Sequence, residues 1–140
     1  MRFKPVLTVF LLLILIISSF GCAEKLQGKT VIKVNIIITE NNNRPVIEDI
    51  QASKETVGPL QEYKDTPVNT PGVFLTTTTM EGRKIDYWVS KPYTGPGEYE
   101  IISEIKSDQP EGSILMVTIK VVNKDANVIA KESKFIDWVD

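Results

Sequence analysis

The 140-residue chain contains no histidine and a single cysteine, Cys22. Without histidine, every catalytic triad or dyad that uses an imidazole base is excluded. Without a second cysteine, no intramolecular disulfide can form, and zinc sites built from Cys and His are excluded too. Helical patterning is also missing: beyond the N-terminal leader, no stretch places apolar residues at the i, i+3, i+4 spacing of an amphipathic helix. Basic charge is scarce, with 16 Lys and Arg against 18 Asp and Glu. A basic groove for nucleic acid is therefore not supported.

One long hydrophobic run is present, at the N-terminus. Arg2 and Lys4 form a short basic region, and residues 6–20 are almost wholly apolar around Leu11-Leu12-Leu13-Ile14-Leu15-Ile16-Ile17. Basic start, apolar stretch and small residue before a cut are the marks of a secretory signal peptide. The run is shorter than the roughly 18 residues expected of a spanning helix.

Ser19-Phe20-Gly21-Cys22 follows directly and resembles a prokaryotic lipoprotein box. Gly21 matches the family at the position before the cysteine, while Ser19 stands where the family carries an aliphatic residue. The resemblance implies cleavage before Cys22 and diacylation of its thiol. The mature protein would then be an extracytoplasmic lipoprotein on a cell membrane or outer membrane. An uncleaved N-terminal anchor is the alternative. Two acyl chains anchor stably where one does not, each buried methylene contributing about 0.8 kcal/mol.

The expected organisation is therefore residues 1–21 as signal peptide, 22–28 as lipidated cysteine and linker, and 29–140 as one domain. Loss of Arg2 and Lys4 leaves 14 basic residues against 18 acidic ones, a net charge of −4. The 119 residues that remain of 140 suffice for a core without covalent staples.

That domain reads as strands throughout. Thr30–Thr39 alternates strictly, with Ile32, Val34, Ile36 and Ile38 on one face. Asn41-Asn42-Asn43-Arg44-Pro45 turns the chain into a second strand over 46–52. In that strand Val46, Ile50 and Ala52 share a face that Glu48 interrupts. Residues 55–72 hold three prolines and form the longest irregular stretch, with room for a short edge strand near 60–63. A third strand covers 73–80. A fourth, over 84–90, has Ile85, Tyr87 and Val89 on one face and Lys84, Asp86 and Trp88 on the other. Residues 98–106 alternate most cleanly, with Tyr99, Ile101, Ser103 and Ile105 inward. Residues 114–122 and 128–136 form a last hairpin, leaving 137–140 as a tail.

About seven short strands at regular spacing predict an all-β antiparallel sandwich. Gly95-Pro96-Gly97-Glu98-Tyr99-Glu100-Ile101 is similar to the Gly-x-Tyr start of a late core strand in immunoglobulin-like and fibronectin-III-like domains. The resemblance implies an immunoglobulin-like sandwich and carries no function, since that fold hosts many roles.

Few residues stand out as chemistry. Tyr87 and Trp88 are adjacent in a strand and must face opposite ways, so one of them is an exposed aromatic. Trp88 lies on the polar side, and with Tyr93 and Tyr63 it is the candidate ligand-binding set. Exposed aromatics favour interfaces and sugar stacking. Thr76–Thr79 suits a half-buried strand without any special role. Asp108, Glu111, Asp125 and the asparagine clusters at 41–43 and 123–127 offer oxygens for calcium, but no EF-hand spacing is present and turn chemistry accounts for them without a metal. Glu98 and Glu100 share a face as solvated strand residues do. The expectation is a non-catalytic module without metal or cofactor, tethered through Cys22. It would bind a protein partner in the cell envelope or, alternatively, carbohydrate or cell-wall polymer.

Overall fold

The computed structural model describes residues 28–58, 67–107 and 109–139. Their seven strands are β1 (Lys29–Asn41), β2 (Arg44–Val57), β3 (Gly72–Thr79), β4 (Val89–Pro92), β5 (Gly97–Glu104), β6 (Ser113–Val122) and β7 (Val128–Trp138). All pairings are antiparallel, in a three-stranded sheet of order β2-β1-β5 and a four-stranded sheet of order β4-β3-β6-β7. The chain is an antiparallel β-sandwich, as the strand pattern predicts. Cys22 and the whole leader lie outside the described residues, as do Tyr63 and the proposed edge strand near 60–63.

The core follows from period-two alternation. Ile32, Val34, Ile36 and Ile38 of β1 are buried against Val73 and Leu75 of β3 and the Leu115, Val117, Ile119, Val121 row of β6. Burying each such side chain contributes about 1.5–3 kcal/mol before entropy is counted. Trp138 closes one end of this interior and is fully buried. The sequence pattern leaves it in a tail; instead it is the last residue of β7, paired with Ser113.

β2 departs from expectation in length and in face. It is 14 residues long and pairs along all of β1 through a two-residue turn in which Asn42 and Asn43 have φ of 53° and 63°. Both angles fit the mirror-image turn that suits hairpin twist, and Asn tolerates them. Pro45, expected in the turn, sits in β2, where an edge position spares its missing N–H. A bulge shifts the register so that Ile37 faces Asp49 while Ile38 faces Ile47, leaving Glu48 as the extra residue. Ile47 therefore packs on the core and Val46 is exposed, the reverse of the unbulged pattern.

The predicted strand over 84–90 is replaced by a crossing. Lys84 bridges Thr78 in the four-stranded sheet, and two residues on Asp86 bridges Ile105, just past β5. Backbone bonds fix the crossing on both sides, Ile85 N–H to Thr77 O at 3.0 Å and Lys106 N–H to Ile85 O at 2.7 Å. Only then does the chain return as β4 beside β3. Asp86, placed on the outer face by alternation, is buried as a result.

Candidate functional site

Three places combine chemistry with exposure: the edge around Trp88, the loop end around Tyr93, and the outer faces of the two sheets. At the first, Trp88 is 59% exposed, as the polar pattern of its strand predicts. The Lys84 ammonium lies 4.7 Å from its ring centroid and also 3.0 Å from Asp86 Oδ1, and donates to the Asp86 carbonyl at 2.6 Å. Lys106 sits similarly over Tyr87, at 5.0 Å. Burial raises the Asp86 carboxyl above its ordinary value of 3.8, and Lys84 and Thr77 pull it back only in part. Thr77, Asp86 and Ser103, all fully buried, make this end of the interior polar. One face of the Trp88 ring is thus taken by a lysine that a buried carboxylate holds in place.

Tyr93 is not a free platform. Its ring packs on the core, stacks on Tyr99 at 6.0 Å and 27°, and its hydroxyl donates to Glu40 Oε1 at 3.3 Å. Burial and the neighbouring Glu40 carboxylate push its hydroxyl up to about 12. Tyr99 makes a tyrosine corner: its hydroxyl accepts from Thr94 N–H at 3.0 Å and donates to the Gly95 carbonyl four residues upstream. Gly95 takes a φ of 114°, open to glycine and strained for other residues. Trp88 precedes and Tyr93 follows β4, which is about 13 Å long.

The calcium candidates are used in turns. Asn123 Oδ1 accepts from Asp125 N–H and Asn127 N–H, both at 3.0 Å, and Glu111 pairs with Lys54 at 3.2 Å. Asp108 lies outside the described residues. Among the described residues no three acidic, Cys or His side chains are placed to hold a metal ion.

The outer faces of the sheets are where sequence reasoning found least. On the three-stranded sheet, a shallow groove of about 480 Å³ is lined by Asn35, Ile37, Asp49, Gln51, Glu98 and Glu100. On the four-stranded sheet, register places the rows Phe74–Lys120–Lys131, Thr76–Thr118–Ser133 and Thr78–Met116–Phe135 across β3, β6 and β7, with Ile114–Asp137 beyond. The Thr118 and Ser133 hydroxyls are 2.9 Å apart, confirming that these residues share a face. Phe135 is 61% exposed and Ile114 48%. Residues 67–69 bond Ser90 of β4 on this face, and Thr118 and the Thr78 hydroxyl are buried, while Phe135 and Ile114 stay exposed. A sequence signal existed in the Ile129-Lys131-Ser133-Phe135 alternation, but the other parity of β7 is equally mixed.

Protein-family models, curated proteins and solved structures compared with this chain give no match.

Proposed function

We propose that this protein is an extracytoplasmic lipoprotein, anchored in the membrane through Cys22, whose sandwich domain is a non-catalytic protein-docking or assembly module of the cell envelope. The observation that carries this reading is the outer face of the four-stranded sheet. It combines exposed Phe135 and Ile114 with Met116 and a hydroxyl row. Exposed apolar surface in a rigid sheet favours protein contact. The leader ending at Ser19-Phe20-Gly21-Cys22 supports export and tethering. The immunoglobulin-like resemblance is supported by the β4-β3-β6-β7 order. It is qualified by β1, and not β2, taking the centre of the other sheet.

The test is crosslinking of the tagged full-length protein in its own cells, beside Cys22→Ala, with partners identified by mass spectrometry. The proposal expects a discrete protein partner that is lost with Cys22→Ala. A chain that reaches the envelope unacylated and unaffected by Cys22→Ala contradicts the tether.

A carbohydrate or cell-wall ligand is the second reading, favoured by the exposed ring of Trp88. It expects retention of the protein on purified wall polymer, abolished by Trp88→Ala, with no protein adduct.

A further inference from the structure

We infer that the outer face of the four-stranded sheet docks a second copy of this chain, through the acidic groove on that copy's three-stranded sheet. The inference rests on the docking-module reading and names its partner.

The first observation is a like-charge pair. Lys120 and Lys131 are directly opposite each other on β6 and β7. Among the described residues neither has an ion-pair partner. Directly opposed like charges repel, and an anion placed between them turns that cost into attraction. Phe74 lies in the same row as the pair, and Phe135 is two rows away, about 13 Å along the strand.

The second observation lies on the opposite side of the sandwich. Ile37 of β1 is exposed and is the register partner of Asp49 on one side and Glu98 on the other. Neither carboxylate is in an ion pair among the described residues. Gln51 donates to Asp49 at 3.1 Å, and the next row's Glu100 already faces Lys33 at 3.7 Å. Two carboxylates around an apolar side chain, set in a groove, complement two ammonium groups beside an apolar ring. Asp49 and Glu98 stand two strand spacings apart, roughly 10 Å, and flexible lysine stems can splay to meet both.

Charge also selects the geometry. Pairing like faces would set four lysines, or four carboxylates, against one another. Matching unlike faces avoids this and makes the contact head-to-tail, propagating into rows; the antiparallel self-pairing, which would bring Asp137 toward the second copy's Lys131, is the arrangement the test must exclude. The lysine face is about three strands wide and ten residues long, on the order of 450 Å². That is below the ~800 Å² per partner of a standard stable interface. The contact is therefore weak between free molecules and depends on the concentration that tethering to one membrane supplies.

The test uses two differently tagged full-length copies expressed together in their own cells. One carries a photo-crosslinking amino acid at Ser133, which leaves both lysines and Phe135 intact. The expected product joins the two tags and maps to β2 or β5 of the second copy, near Asp49 or Glu98. Its yield falls about tenfold when the second copy carries Glu98→Lys, and recovers when the first copy also carries Lys131→Glu. An adduct mapping to β6 or β7 of the second copy overturns the head-to-tail arrangement. An adduct with a different protein alone overturns the inference and leaves the docking-module reading standing. No protein adduct at all overturns both.

Discussion

The inner and outer faces of the four-stranded sheet are written on the same strands, yet they answer to different partners. On β6, Leu115, Val117, Ile119 and Val121 are buried against β1, while Ile114, Met116 and Lys120 alternate with them on the far side. The inner set is constrained by packing against a neighbour within the chain, so its identity is fixed by volume and hydrophobicity. The outer set has no such neighbour among the described residues. Phe135 is exposed, and among the described residues Lys120 and Lys131 stand opposite each other without an ion-pair partner; the proposed docking engages these residues.

Substitutions that separate stability from binding sharpen this comparison. The largest effect belongs to the inner face: Trp138→Ala should lower stability by about 3–5 kcal/mol, seen as a fall in the urea midpoint, because it opens a cavity at the end of the core. Lys54, 5.3 Å from that ring, would lose its aromatic partner as well.

Next comes the crossing that joins the two sheets. Lys84→Met leaves the buried Asp86 carboxylate without its cation and should cost about 3 kcal/mol. Adding Asp86→Asn should recover much of that loss. The pair also sets a pH dependence. The folded-state pKa of Asp86 is raised above 3.8, so between those two values the folded form binds more protons than the unfolded one. The cost of its charge is fully present above the raised value and is relieved as pH falls toward 3.8. Wild type should therefore gain stability relative to Asp86→Asn on acidification. Urea titrations of both proteins, at neutral pH and just above pH 3.8, measure that difference. An unchanged gap would show that Asp86 is not buried as a carboxylate.

Tyr99→Phe removes the corner hydroxyl and should cost about 1 kcal/mol, read from the same titration. The smallest stability effect is the most informative about function. Phe135→Ser should change stability by no more than about 0.5 kcal/mol while abolishing the crosslinked complex. A large stability loss there would mean that Phe135 is covered and belongs to the core.

Much of the inner face was legible in the sequence, and the reasons the rest was not are local. β1, β5 and β6 each keep one consistent face, so Ile32 to Ile38, Ile101 to Ile105 and Leu115 to Val121 could be assigned inward from pattern alone. The pattern failed on β2 because one extra residue, Glu48, reverses every face assignment on one side of it. It failed around Asp86 because a segment shared between two sheets obeys neither period. Trp88 was readable as exposed, since its neighbours in alternation are charged. The setting of Tyr93 was not readable because its partners Glu40 and Tyr99 come from other elements. The outer face escaped because β7 carries apolar and charged residues on both parities, so only pairing with β6 shows which side is out.

The most direct test places a photo-crosslinking phenylalanine derivative, which keeps an aromatic ring at the site, at position 135 and, in a separate chain, at position 88, in the full-length protein in its own cells. The account predicts a discrete protein adduct, with its own copy or another protein, from position 135 and none from position 88. An adduct from position 88 alone, or none from either with the protein held on wall polymer through Trp88, would contradict it.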